Sequence, residues 1–126
     1  MDRPRTEISA AVLGAPDAGK LARFYGTLLG WTITFEEGDW VMLKPPGGGT
    51  GLSFQSEPEH VPPVWPARPG EQQMMIHLDI ATNNLDEAVA WARQAGATLA
   101  EHQPQDDVRV MLDPAGHPFC LFPAPI

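Results

Sequence analysis

The sequence predicts an α+β fold made of two copies of one strand-helix-three-strand unit. Three observations carry this: a phrase written twice, the same order of local signals around each copy, and a proline-rich stretch between them. "VMLKPPGG" at 41–48 returns as "VMLDPAGH" at 110–117, so Val-Met-Leu-x-Pro-x-Gly recurs at an offset of 69 (110 − 41 = 69). Upstream, "AAVLGAPD" ending at Asp17 sits against "HLDIATNN" ending at Asn84, an offset of 67 (84 − 17 = 67). A difference of two residues fits inside a hairpin turn, and self-similarity at a fixed period is the mark of a repeated architecture.

Each element has a local reason. Residues 7–14 form an apolar, β-leaning run, and Pro16-Asp17 opens a helix. Leu21, Phe24, Tyr25 and Leu28 follow at i, i+3, i+4, i+7, the apolar stripe of an amphipathic helix, and Gly30 is placed to end it. "WTITFEE", "WVMLKP" and "GLSFQS" read as three strands separated by Gly-Asp and by a Pro/Gly-rich turn.

The second half begins with "QMMIHLDIA" as a strand. Asn84 with Glu87 makes a capping-box pattern. Leu85, Ala88, Val89 and Ala92 repeat the helical stripe, and Gly96 closes it. "ATLAEH", "VRVMLDP" and "PFCLF" supply three more strands. The expected organisation is a single domain over 1–126, with repeats at about 6–56 and 73–123 and a proline-rich linker at 57–72.

Composition narrows the partners. Net charge is −8, spread along 126 residues, so phosphate backbones and anionic lipid are repelled and neither nucleic acid nor a membrane is expected as a partner. The lone Cys120 cannot close an internal disulfide, and "MDRPRTEIS" lacks the apolar stretch of a secretion signal. Both fit a cytoplasmic location.

Two such units can join their sheets into one curved mixed sheet, a cup with helices on the convex side. Side chains alternate between faces along a strand. Ile76, Leu78 and Ile80 are the apolar set expected under the helix, which turns Met75, His77 and Asp79 to the cup. Cys120 shares a face with Pro118 and Phe122. The internal equivalence sets Ala10 where the second half has His77, and Gly51 where it has Cys120.

These units, with "PDAGKLARFYGTLLGW", "DWVMLKPPGG", "IHLDI" and "DPAGHPFCLF", resemble the glyoxalase/bleomycin-resistance/dioxygenase superfamily, the vicinal oxygen chelate fold, and within it the small bacterial glyoxalase-like domains. The resemblance implies the cup-shaped fold and a wide choice of functions, from metal-dependent lyases, isomerases and dioxygenases to metal-free drug-sequestering proteins. It also implies metal ligands on equivalent strands of the two halves, at Ala10, Gly51, His77 and Cys120. Ala10 and Gly51 have no side-chain donor, and Cys stands where the family pattern has Glu. A catalytic divalent site needs about three protein ligands. His77 and Cys120 could hold zinc or copper(I) with a third ligand, but the sequence singles out none, so no metal cofactor is expected.

The expected cup is lined by Trp40, Met42, Met75, His77, Met111 and Cys120, with Ser53, Arg109 and His77 to orient a ligand and Trp65 as a clasp over the neighbouring unit or a lid over bound ligand. Such a lining suits an apolar or aromatic small molecule. An imidazole titrates near neutrality, so His77 is the candidate catalytic base. The leading expectation is a small-molecule binding protein or metal-free enzyme. The alternatives are a metal-dependent lyase or dioxygenase using His77 with unorthodox ligands, and a structural or regulatory homodimer. A homodimer is expected in any case, because short curved sheets leave edges that invite pairing.

Overall fold

A computed structural model describes all residues, 1–126. They gather into two compact units, Met1–Pro58 and Glu59–Ile126. In the first, β1 (Ala10–Ala15) leads into α1 (Ala18–Leu29), then β2 (Thr32–Glu37), β3 (Trp40–Lys44) and β4 (Gly51–Ser56). In the second, β5 (Leu78–Thr82) leads into α2 (Leu85–Ala95), then β6 (Thr98–Leu99), β7 (Arg109–Leu112) and β8 (Pro118–Pro123). The strand-helix-three-strand order therefore occurs twice. Hydrogen bonding forms two four-stranded mixed sheets, in the orders β1-β4-β3-β2 and β5-β8-β7-β6. In each, the first and last strands of the unit pair in parallel and the remaining pairs are antiparallel.

The caps form where the sequence sets them. The Asp17 side chain accepts the Lys20 N–H at 3.2 Å, giving one of the free donors of the α1 N-terminus a partner. Ala18 N–H donates to Ser56 Oγ at 3.0 Å, which ties the helix start to the end of β4. Gly30 stops α1 at φ 72, a left-handed conformation that glycine adopts without a Cβ clash. At α2 the Asn84 side chain accepts the Glu87 N–H at 3.1 Å, while the Asn84 N–H donates to Thr82 Oγ1 at 3.2 Å. The expected capping box is thus half formed, with a threonine hydroxyl in place of the glutamate.

The core of the first unit lies between α1 and its sheet. Leu21, Phe24 and Tyr25 are buried together with Leu13, Val41, Leu43, Leu52 and Phe54. Tyr25 stacks on Phe54 at 5.7 Å between ring centroids. In the second unit Met111, Phe119 and Leu121 are buried, as is Ala92 of α2, and Val110 is buried on the opposite face of the sheet.

Two features differ from the sequence reading. β5 begins at Leu78, so Met75 and Ile76 precede it and are exposed, and Ile76 does not sit under a helix. The proline-rich stretch, read as a linker, is folded onto the second unit. Trp65 Nε1–H donates to the His102 carbonyl at 3.0 Å, a His60 ring nitrogen lies 2.7 Å from the Ala115 carbonyl, and Val64 N–H donates to the Gln72 carbonyl at 2.8 Å. Proline fixes φ and cannot donate, so such a run holds to a surface through side chains and a few non-proline amides. Trp65, expected as a clasp over the neighbouring unit or a lid over ligand, instead makes its bond to His102 within its own unit.

Candidate functional site

Strand pairing decides which side chains share a face. In the first unit Val41 stands opposite Phe54, and Leu43 opposite Leu52, on the helix side. Trp40 opposite Gln55, and Met42 opposite Ser53, take the other side, joined by Val12 of β1, the register partner of Ser53. A register shift between Ile33 and Phe35 brings Phe35 opposite Met42. An added residue in one strand flips the side chains beyond it, so the bulge turns Phe35 to the open face and Glu36 to the helix side, where it pairs with Arg23 of α1 at 3.0 Å. The open face therefore gathers Trp40, Met42 and Ser53 together with Val12 and Phe35, which remain 48% and 43% exposed. Ser53, on the same face, is buried.

The second unit departs from expectation by one residue. Met111 pairs with Phe119 and Arg109 with Leu121, whereas Val110 pairs with Cys120. By pairing, Met42 corresponds to Val110, an offset of 68 (110 − 42 = 68) and not the 69 of the repeated phrase. A one-residue slip sends every side chain to the other face. Met111 is consequently fully buried on the face of Phe119 and Leu121, and Arg109 shares that face, its Nη1 donating to the carbonyls of Asp106 and Val108. Neither lies with Cys120. Met75, 78% exposed and outside β5, takes no part in this strand face.

What the second unit does gather is a trio. Asp79 and Cys120 are register partners across the parallel β5–β8 pair. His77 precedes Asp79 by two residues, the spacing that returns a side chain to the same face. Its Nε2 lies 3.0 Å from Asp79 Oδ1, with both side chains open to solvent. The potential ligand atoms of His77, Asp79 and Cys120 all lie within 4.8 Å of one another. Burial, then the Asp79 charge, then a thiol hydrogen bond to that carboxylate push the Cys120 thiol above its ordinary value. The group is a carboxylate-oriented imidazole beside a protonated thiol. Sequence alternation already places Asp79 on the His77 side. The resemblance marks His77 and Cys120 as ligand positions but not Asp79, so the signal for this third donor is strand alternation alone.

The profile of the glyoxalase-like domain family matches residues 10–122. The chain belongs to that family. This glyoxalase-like domain shares its fold with a glyoxalase/bleomycin resistance protein/dioxygenase family enzyme from Burkholderia phytofirmans PsJN, at TM-score 0.71 and 16% identity, over 94% of this chain and 98% of the other. It is similar to TnmS3, an antibiotic binding protein from Streptomyces sp. CB03234, at TM-score 0.64 and 16% identity, over 98% and 100% of the two chains. A glyoxalase/dioxygenase from Nostoc punctiforme gives TM-score 0.65 and 22% identity over 95% and 92%. No curated protein matches the sequence.

The four-position metal site implied by this superfamily does not fit the glyoxalase-like domain. Ala10 and Gly51 offer no donor atom. The parallel pairing also makes Ser53, not Gly51, the counterpart of Cys120, and Val12 the counterpart of Asp79.

Proposed function

We propose that this glyoxalase-like domain binds an apolar or aromatic small molecule on the open face of the first unit's sheet. The observation that carries the reading is the set Val12, Phe35, Trp40 and Met42 on the side away from the α1 core, with Val12 and Phe35 each more than two-fifths exposed. Leaving that much apolar surface in water is unfavourable by roughly 25 cal/mol per Å², which a ligand or a second chain would recover. An indole and a phenyl ring offer stacking surfaces, and the Met42 thioether adapts to irregular shapes. Gln55, opposite Trp40, gives the face a polar edge. Further support comes from the fold shared with an antibiotic binding protein at TM-score 0.64.

Thermal-shift screening of aromatic and polycyclic compounds tests this, because a ligand of the folded state raises stability by mass action. At least one compound should raise the transition temperature of the wild-type chain and lose most of that effect in Trp40→Ala. Compounds that stabilise both proteins equally would remove the face from consideration.

A further inference from the structure

We propose that His77, Asp79 and Cys120 form a three-donor site for a borderline divalent cation, zinc foremost, on one face of the β5–β8 pair. This goes beyond ligand binding by the first unit and does not rest on it.

The backbone makes the convergence. Asp79 of β5, its cross-strand partner Cys120, and His77 just before the strand bring three side chains to one patch. Tetrahedral zinc, with bonds of about 2.0 Å to nitrogen and oxygen and about 2.3 Å to sulfur, sets its donors roughly 3.3–3.8 Å apart. The present spread of up to 4.8 Å lies about an ångström from that arrangement. His77 and Asp79 are exposed, so rotamer changes without backbone movement can close the difference.

Chemistry selects the metal. A neutral imidazole, a carboxylate and a thiolate together carry two negative charges, the complement of one divalent cation, and the ion itself stabilises the deprotonated thiol. Nitrogen and sulfur donors favour zinc over magnesium and calcium, which take oxygen ligands. Three protein donors at a solvent-open place leave a coordination position for water or a ligand, the pattern of a reactive rather than a closed structural site. The first unit supplies a contrast. At the counterpart positions of the same parallel pair it has Val12 and Ser53, with Ala10 two residues before Val12, and no comparable donor set. The His60–His117 pair, 5.1 Å between ring centroids, offers only two imidazoles, and a His60 ring nitrogen lies against the Ala115 carbonyl.

The test is a titration of the full chain with Zn2+ against a chromophoric chelator, and with Co2+ read by absorption. One equivalent of zinc should bind, and excess Mg2+ should not displace it. Cobalt should give a thiolate charge-transfer band that Cys120→Ser abolishes. Asp79→Asn and His77→Ala should each weaken zinc binding by at least the roughly 10–100-fold that loss of an outer-shell partner causes. Both alter exposed side chains, so their circular dichroism should match wild type, which keeps the test decisive if Cys120→Ser disturbs packing. The joint variant of His60→Ala and His117→Ala should retain wild-type affinity. Absence of stoichiometric zinc uptake, uptake unchanged in both His77→Ala and Asp79→Asn, a cobalt complex lacking the thiolate band, or binding lost only in the joint histidine variant would each overturn the site.

Discussion

Asp79 and Cys120 stand directly opposite one another across the parallel β5–β8 pair, where the first unit has Val12 opposite Ser53. One scaffold, used twice, thus presents an apolar patch in one unit and ionisable side chains in the other. The consequences are separately measurable.

The metal-free Cys120 thiol should react slowly. Burial and the Asp79 carboxylate raise its pKa, so less thiolate is present at a given pH than in an unfolded chain. Asp79→Asn removes both the charge and the charged acceptor, and alkylation at pH 8 should accelerate. The stability sign follows. A thiol whose folded pKa exceeds its ordinary value of 9.0 contributes stability in full below that value, and the contribution is lost as pH rises through the raised pKa. An alkylation rate unchanged by Asp79→Asn would contradict the contact.

The two methionines of the repeated phrase should respond differently to truncation. Met111 is fully buried, so Met111→Ala should cost about 2–5 kcal/mol in chemical denaturation. Met42 is half-buried on the open face, and Met42→Ala should cost clearly less because no closed cavity forms. The reverse ranking would restore the phrase's own register.

Trp65 should hold the 59–72 segment in place. Trp65→Ala removes the bond to the His102 carbonyl and the ring contact at 5.9 Å. Hydrogen exchange at the Val64 amide, which donates to Gln72, should then quicken while the β7 and β8 amides stay protected. Unchanged exchange at Val64 would mean that the segment is held by other contacts.

Pairing of chains is also expected. Each sheet ends in two edge strands, β1 and β2 in one and β5 and β6 in the other, and unpaired edges template further association. Light scattering at micromolar concentration should give about twice the 13.7 kDa chain mass. A monomer mass that persists as concentration rises would refute it.

The elements were legible because their signals are local. Asp17, Asn84, Gly30 and Gly96 mark helix ends by side-chain capping and backbone freedom, and the apolar stripe of α1 identifies its buried face. Register was not legible. The Val-Met-Leu match places Met111 with Cys120, but pairing is set by the strand alongside, and it puts Val110 there. Phe35 reached the open face through a bulge that alternation alone cannot show. Proline content reads as a connector, since composition carries no sign of the indole bond that docks Trp65. Of the candidate residues, Trp40, Met42 and Ser53 share one face, and His77 and Cys120 cluster around Asp79.

Ligand binding on the first unit is tested most directly by heteronuclear NMR titration of the isotope-labelled chain with the aromatic compound giving the largest thermal shift. A site on the open face predicts saturable perturbations concentrated at Val12, Phe35, Trp40 and Met42, with Val41 and Leu43 on the buried side moving least. Perturbations centred on the second unit, or spread evenly over both faces of the first sheet, would contradict it.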